Sequence, residues 1–195
     1  MNVAYRKMHG TGNRILVVDQ RSGNRPPPSA ERLRELGADS TGPGFDQLMW
    51  VSAADDPAFA ASYRIFNADG SEVEQCGNGV RCVAGLLAAE TGHPQAFTLL
   101  SPAGPVEARV DDVGLVSVSM GRPEFEPDRI PFLAKQQQDR YELVVDGVSY
   151  DISAVSMGNP HCVLQVADVT TAPVEHLGPK IERHERFPQK ANVGF

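Results

Sequence analysis

Residues 76–92 read CGNGVRCVAGLLAAETG, and this stretch predicts the element around which the fold is built. Apolar residues recur at helical spacing over 78–91, and Gly92 is expected to end the helix. The opposite face is apolar as well, because Cys82 and Leu86 lie there. A helix that is apolar nearly all round has no side suited to water, so we expect this one to be buried on all sides.

Short runs of β-type residues separated by turn residues lie before and after this helix. Six strands are predicted, at 15–18, 47–51, 63–66, 97–100, 106–110 and 115–120. The loop 111–114 joins the last two as a hairpin. A short surface helix over 30–36 is expected to be capped by Ser29 and ended by Gly37. One buried helix among many strands indicates an α+β fold in which a sheet curls around the helix.

The segment 121–131 contains three prolines, whose spacing prevents regular strand pairing and indicates a connection between domains. We therefore divide the chain into an N-terminal domain, 1–120, and a partial second domain, 121–195. In the second domain, strands are predicted at 141–145, 150–155 and 162–166. A short echo relates the two domains, because MHGTGN at 8–13 and SMGN at 156–159 both place Gly-Asn before an apolar run. The second domain lacks a counterpart of the buried helix, so we expect an uncovered sheet face.

The composition limits the classes of protein to consider. With 195 residues, 41% of them hydrophobic and 22% charged, the chain is of globular type, which excludes disordered, collagen-like and coiled-coil proteins. The net charge of −7 repels nucleic-acid phosphates and anionic lipid, so neither nucleic acid nor a membrane is expected as a partner. Three cysteines, without the spacing of metal ligands, indicate a reducing compartment and hence a cytoplasmic protein.

Cys76 lies immediately before the predicted buried helix. The unpaired backbone N–H groups and the dipole of a helix N-terminus favour an anion, so a cysteine there is partly thiolate. Gly77 and Gly79 let a ligand approach the backbone, and the same N–H groups can hold a carboxylate. These residues alone leave two interpretations open, a reactive thiol at a binding site or a small core residue in a glycine turn.

The wider context, NADGSEVEQCGNGVRC at 67–82, resembles the signature of the diaminopimelate epimerase family, amino-acid epimerases that work without pyridoxal phosphate. Other family-like blocks follow in the family's order, at 7–13, 44–48, 155–162, 184–188 and 191–195. The resemblance covers the whole chain. It implies two pseudo-symmetric domains, each a sheet or barrel wrapped around a central helix, and it implies no metal or cofactor.

The resemblance also implies an active site. Cys76 would be one of two catalytic cysteines on opposite faces of the substrate α-carbon, with His161 as a supporting group. Gly77 and Asn78 would donate main-chain hydrogen bonds to the reacting carboxylate. Side-chain amides would bind the ammonium and carboxylate groups of the substrate, namely those of Asn13, Gln47, Asn67, Asn159 and Asn192. Neutral amides suit a zwitterion because they both donate and accept hydrogen bonds.

These residue types also have structural explanations. An asparagine near a glycine often serves turn geometry. This explanation applies to Asn13, Asn67 and Asn159. Gln47 fits a polar position at a strand edge. His161 and Asn159 share a strand face because they are two residues apart, whereas Cys162 points to the other face. We therefore assign Cys162, and Cys82 within the apolar helix, to the core.

The chain departs from the family pattern in two places. After Asn13 the family usually has an acidic residue followed by Phe, and here Arg14-Ile15 reverses a charge near the expected site. The chain also ends at Phe195, before the family's second cysteine block. We therefore expect residues 1–195 to be an N-terminal part that is inactive as an isolated chain.

The function implied by the resemblance is the cofactor-independent epimerisation of LL-2,6-diaminopimelate to the meso form, which supplies lysine and peptidoglycan precursors. Diaminopimelate would be the small-molecule partner. One alternative is a related proline racemase-like enzyme, and another is a non-catalytic ligand-binding or redox module in which Cys76 is an oxidisable thiol. The oligomeric state stays open, with a homodimer among the candidates.

Overall fold

The structure is a computed structural model that describes residues 3–92 and 94–195. It divides into two compact units, Met1–Met120 and Gly121–Phe195, which we call unit 1 and unit 2. Unit 1 contains eight strands and two helices among its described residues. In chain order they are β1 Arg6–Gly10, β2 Asn13–Gln20, α1 Ala30–Gly37, β3 Gln47–Ser52, β4 Ala61–Asn67, β5 Glu72–Val73, α2 Gly77–Thr91, β6 Gln95–Ser101, β7 Gly104–Val110 and β8 Val116–Val118.

The strands of unit 1 form one sheet in the order β1-β2-β3-β4-β6-β7-β8, and β5 pairs with β4. The pairs β2–β3 and β4–β6 are parallel, and the other pairs are antiparallel. A parallel pair needs a crossover connection, and α1 and α2 lie in these two connections. The sheet curls around α2, which contacts strands from both ends of the sheet, namely β1, β2, β3, β6, β7 and β8.

The helix α2 is buried along most of its length. Val83, Ala84 and Ala88 have no exposed surface, and they belong to a core that includes Ile15 and Met49 from the inner face of the sheet. Gly92 ends the helix at a φ of 90°. The prediction of a buried helix inside a curled sheet is therefore confirmed. Among the described residues, neither this 15-residue helix nor a shorter one is long and apolar enough to cross a bilayer.

The outer face of the same sheet has a smaller apolar cluster. Leu16, Leu48 and Phe66 are cross-strand partners there, and α1 covers them with Leu33. Ser29 caps α1, because its hydroxyl accepts a hydrogen bond from the backbone N–H of Arg32 at 3.3 Å. The cap, α1 and the six strands predicted for this unit are confirmed, with strand ends that differ by at most two residues. The strands β1 and β5 were not predicted.

Unit 2 has a four-stranded sheet and one α-helix among its described residues. Its elements are a 3₁₀ turn Pro127–Arg129, β9 Tyr141–Val145, β10 Val148–Ser156, β11 Pro160–Leu164, α3 Val174–Glu182 and β12 Asn192–Gly194. The sheet order is β12-β11-β10-β9, in which β11 and β12 are parallel and the other pairs antiparallel. The three predicted strands are confirmed, whereas α3 and β12 were not predicted.

The helix α3 corrects the expectation of a bare apolar face in the second half of the chain. Leu177 and Ile181 of this helix are buried in the core of unit 2, so one face of the sheet is covered. The other face carries Val144 and Val163, which are 54% and 41% exposed. Among the described residues of unit 2, no second α-helix lies over this other face. Unit 2 therefore contains an incomplete curled sheet, as predicted.

The two units repeat one topology. In unit 1 the hairpin β1–β2 is followed by α1 and then by β3, which runs parallel to β2. In unit 2 the hairpin β10–β11 is followed by α3 and then by β12, which runs parallel to β11. Gly12 and Gly158 occupy the two hairpin turns with φ values of 89° and 95°. The echo in the sequence therefore marks the turn of a repeated hairpin, helix and parallel strand.

Candidate active site

Cys76 is the N-cap residue of α2. Its extended backbone, with φ −152° and ψ 104°, lets the Sγ atom accept a hydrogen bond from the backbone N–H of Gly79 at 3.4 Å. The backbone N–H of Val80 donates to the carbonyl of Cys76 at 3.0 Å. The N–H groups of Gly77 and Asn78 come first in the helix and have no acceptor within it. The thiol and two backbone donors therefore gather at the positive end of the helix dipole.

The first turn of α2 lies against one end of the sheet. A Cβ atom on Gly10, at the end of β1, would lie 2.9 Å from the Cβ of Asn78. A Cβ atom on Gly79 would overlap the side chain of Met49 in β3. Both glycines therefore allow the helix to approach the backbone of the sheet closely. This end of the sheet also contains Asn13, because Asn13 pairs with Gly10 in the hairpin.

Three predicted substrate-binding residues form a row of side-chain amides across β2, β3 and β4. Asn13 Nδ2 donates to Gln47 Oε1 at 3.4 Å, and Gln47 Nε2 donates to Asn67 Oδ1 at 3.0 Å. Asn67 Nδ2 donates to the hydroxyl of Ser71 at 3.0 Å. We call Asn13, Gln47 and Asn67 the amide row. Parallel pairing of β2 with β3 and antiparallel pairing of β3 with β4 bring these residues together from distant parts of the chain.

The side chain of Asn78 is held in place by two neighbours. Its Oδ1 accepts hydrogen bonds from Arg81 Nη2 and, at 3.4 Å, from the hydroxyl of Thr11. Thr11 belongs to the hairpin turn between β1 and β2, with a φ of 49°. The Asn78 side chain therefore links the helix to the turn that precedes Asn13.

In unit 2 the structure brings together the other three predicted residues. His161 and Asn192 are partners in the parallel pairing of β11 with β12. His161 Nε2 lies 3.0 Å from Asn159 Oδ1, and since an amide oxygen only accepts, Nε2 carries the proton. Asn192 Nδ2 donates to the carbonyl of Pro160 at 3.2 Å. Burial lowers the pKa of His161 and so favours the neutral ring, in which Nδ1 can accept a hydrogen bond.

Arg14, the residue that departs from the family pattern, is paired with two acidic residues. Its guanidinium donates to both oxygens of Asp39, at 2.8 and 3.1 Å, and to Oδ1 of Asp46 from Nε and Nη2 at 3.2 and 3.1 Å. Its backbone N–H donates to Asp46 Oδ2 at 2.7 Å, and this hydrogen bond is the main reason that the pKa of Asp46 is lowered. The sequence indicated the charge reversal but not these partners.

The remaining cysteines lie in the two cores, as predicted. Cys82 belongs to the core of unit 1, and burial raises the pKa of its thiol to about 11. Cys162 belongs to the core of unit 2, and burial raises the pKa of its thiol to about 12. Both thiols are therefore protonated at neutral pH and shielded from solvent. Cys76 is partly exposed.

We expect iodoacetamide at neutral pH to label Cys76 in the folded chain and to leave the other two thiols unmodified, because alkylation needs an accessible thiolate. Peptide mapping by mass spectrometry measures the labelling rate of each cysteine separately. The control is the same reaction in guanidinium chloride, where all three cysteines should react. Labelling of Cys82 or Cys162 as fast as Cys76 in the folded chain would contradict this assignment.

Within residues 3–92 and 94–195, the His, Cys, Asp and Glu side chains do not gather in groups of three or more that could hold a metal ion.

The curled sheet around a central helix has counterparts among solved structures of racemases and epimerases. A hydroxyproline epimerase from Agrobacterium vitis matches with a TM-score of 0.60 and 15% identity, over 92% of this chain and 54% of that chain. A probable proline racemase from Agrobacterium radiobacter matches with a TM-score of 0.65 and 16% identity, over 98% of this chain and 65% of that chain. At these identities the likeness concerns the fold alone, which this chain shares with an epimerase and a probable racemase.

The sequence comparisons identify the family more narrowly. The family model described as diaminopimelate epimerase matches residues 5–126. The diaminopimelate epimerase of Pseudomonas entomophila is 48% identical over 199 aligned positions, which cover all of this chain and 71% of that protein. The chain belongs to the diaminopimelate epimerase family and is thus part of an isomerase.

Proposed function

We propose that the natural full-length protein interconverts LL- and meso-2,6-diaminopimelate by two-base proton transfer at one α-carbon. The observation that carries this proposal is the position of Cys76, whose Sγ accepts a hydrogen bond at the N-terminus of a buried helix. Membership of the diaminopimelate epimerase family supports the choice of substrate. The amide row at the same end of the sheet supports it as well, because neutral amides match an amino-acid zwitterion.

In the proposed mechanism the Cys76 thiolate removes the α-proton from one face of the substrate. The backbone N–H of Gly79 donates a hydrogen bond to Sγ and holds the sulfur at the start of α2. The electron pair left on the α-carbon spreads into the adjoining carboxylate, which binds to the free N–H groups of Gly77 and Asn78. Donors already aimed at the site stabilise this charge without reorganisation. A second thiol then delivers its proton to the opposite face, which inverts the centre and leaves a thiolate there.

The amide row is proposed to hold the ammonium and carboxylate groups that do not react. Asn13 now donates to Gln47, and Gln47 donates to Asn67, so a bound substrate would replace some of these contacts with its own. His161 is proposed as a supporting group, because its neutral ring keeps Nδ1 as an acceptor while Nε2 donates to Asn159. Asn159 and Asn192 are proposed as further substrate-binding amides.

The second base is proposed to lie outside residues 1–195. The other two cysteines, Cys82 and Cys162, are buried, and burial raises the pKa of each thiol. Neither is suited to exchange a proton with a substrate at neutral pH. We therefore propose that the isolated chain of residues 1–195 does not turn over diaminopimelate. The three free thiols suit a reducing compartment, so we propose the cytoplasm as the location of the protein. The homodimer stays a prediction.

The test is turnover of LL-diaminopimelate by the purified full-length protein, compared with residues 1–195 made in a host that lacks this epimerase. We expect the full-length protein to form the meso isomer and to exchange the α-hydrogen with D₂O, whereas residues 1–195 should do neither. Turnover by residues 1–195 would overturn the proposed location of the second base. A full-length protein that inverts proline but not diaminopimelate would instead favour a proline racemase-like enzyme.

The non-catalytic alternative predicts a different result in the same samples. If Cys76 served only as an oxidisable thiol, the full-length protein would neither exchange the α-hydrogen of diaminopimelate nor form product. It would still react with hydrogen peroxide at Cys76, which a sulfenic-acid probe detects. Exchange of the α-hydrogen therefore separates the two functions.

A further inference from the structure

Arg14 makes a cluster of hydrogen bonds where β2 and β3 begin to pair. The parallel ladder starts with Ile15 opposite Gln47, so Arg14 in β2 and Asp46 just before β3 each lie one residue ahead of it. The backbone N–H of Asp46 donates to the carbonyl of Arg14 at 2.9 Å, and the backbone N–H of Arg14 donates to the Asp46 carboxylate at 2.7 Å. The guanidinium adds a fork onto Asp46 Oδ1 at 3.2 and 3.1 Å. Arg14 and Asp46 therefore extend the contact between the two chain segments by one residue before the first ladder pair.

A second carboxylate holds the guanidinium from the other side. Asp39, in the loop between α1 and β3, accepts from Arg14 Nη1 with both of its oxygens. The guanidinium is thus hydrogen-bonded on two sides, to Asp39 and to Asp46, which both lie in the segment between α1 and β3. We call Arg14, Asp39 and Asp46 the clamp.

The clamp adjoins two members of the amide row. Asn13 precedes Arg14 and Gln47 follows Asp46, and the two amides point to the opposite face of the sheet from the clamp. Their mutual hydrogen bond, at 3.4 Å, is the longest in the row. It depends on the spacing between the first residues of β2 and β3, which would change if these strand ends frayed.

We propose that Arg14 is a positioning residue, which acts through Asp46 to fix the spacing of Asn13 and Gln47 for substrate binding. This inference rests on the proposed function. Arg14 does not touch the substrate in this proposal. Surface ion pairs contribute little to the free energy of unfolding, and the side chains of Arg14 and Asp46 are 50% and 44% exposed. The effect of the clamp should therefore appear in substrate binding more than in stability.

The kinetic test uses the full-length protein with Arg14→Gln. Because the amide row binds ground state and transition state alike, we expect the KM for LL-diaminopimelate to rise about fivefold while kcat changes by less than about twofold. Arg14→Lys keeps the charge without the fork and should give an intermediate KM. The matched control is Arg32→Gln, which removes another exposed arginine whose carboxylate partner, Glu35, lies at 2.6 Å on α1. Its KM should equal that of the wild type.

Asp46→Ala distinguishes positioning from a general effect of charge. Positioning predicts that Asp46→Ala and Arg14→Gln both raise KM, and that the double variant is no worse than the single variants because they break one interaction. A long-range electrostatic effect predicts opposite changes, since the two substitutions remove opposite charges. Opposite changes in KM would overturn the proposal.

A direct readout keeps this inference separate from the proposed function. Side-chain amide resonances of Asn13 and Gln47 in ¹⁵N-labelled full-length protein should shift in Arg14→Gln and stay unchanged in Arg32→Gln. If the wild type turns over no diaminopimelate, the proposed function fails, while these resonances still report on the clamp. If the resonances stay unchanged, or if only the melting temperature falls with KM constant, Arg14 has no positioning role.

Discussion

Replacing Cys76 by serine in the full-length protein is expected to reduce kcat for diaminopimelate epimerisation by at least about a thousandfold, because a hydroxyl cannot replace a thiolate as the base. Serine is a good N-cap residue, so its oxygen can still accept the Gly79 N–H and hold the start of α2. Alanine at this position should abolish activity too and also lower the free energy of unfolding by about 1 kcal/mol through loss of the cap. Kinetic assays and urea denaturation measure the two effects separately.

The matched control for this prediction is Cys82→Ala, a cysteine substitution on the same helix. Cys82 is 4% exposed and belongs to the core, so its loss should lower stability and leave kcat near that of the wild type. If Cys76→Ser kept activity within about tenfold of the wild type, Cys76 would not be a catalytic base. If neither Cys76 variant folded, the result would show that Cys76 has a structural role.

The largest effect on stability is expected for Arg186→Ala in unit 2. The guanidinium of Arg186 lies 4.3 Å above the ring centroid of Phe132 and 5.7 Å from that of Tyr141. It also donates to the carbonyls of Leu133 at 2.9 Å and Glu142 at 2.6 Å. Removing these contacts leaves two carbonyls without their charged donor and uncovers two rings. We expect a loss of about 3 kcal/mol in the stability of this unit.

Hydrogen exchange of the amides in β9, β10 and β11 reports on this loss directly, because exchange from a sheet requires opening of the unit. The control variant is Arg129→Ala, an arginine that is 67% exposed and lies 3.2 Å from Glu124. It should leave the exchange rates nearly unchanged, as expected for a surface ion pair. Equal exchange rates in Arg186→Ala and the wild type would show that Arg186 does not stabilise the core.

Elements with strong local signals could be predicted from the sequence. Apolar residues recur through α2 at helical spacing, and Gly92 ends it, so both its existence and its burial were evident. The helix α3 shows the reverse case, because Gly178 and Pro179 lie inside it and the N-cap Pro173 makes no side-chain cap hydrogen bond. Its two core residues, Leu177 and Ile181, stabilise it by packing against the sheet.

The candidate site also has one part that local sequence signals predict and one part that only strand pairing assembles. The motif around Cys76 places a thiol before a helix, because the N-cap and the glycines that follow are neighbours in the chain. The amide row could be named residue by residue, but the order of its members in space could not be read from the sequence. Gln47 lies 34 residues after Asn13 and 20 before Asn67, and only the pairing of β2, β3 and β4 puts it between them.

Arg14 is the clearest case of a residue whose meaning depends on distant partners. In the sequence it is a charge reversal beside Asn13, whereas in the folded chain its charge is paired with Asp39 and Asp46. Helix propensity, capping and turn geometry act between residues a few positions apart, so the sequence already contains the buried helix and the thiol at its N-terminus. Strand register and ion pairs join residues tens of positions apart, and they form only when packing of the whole sheet brings those residues together.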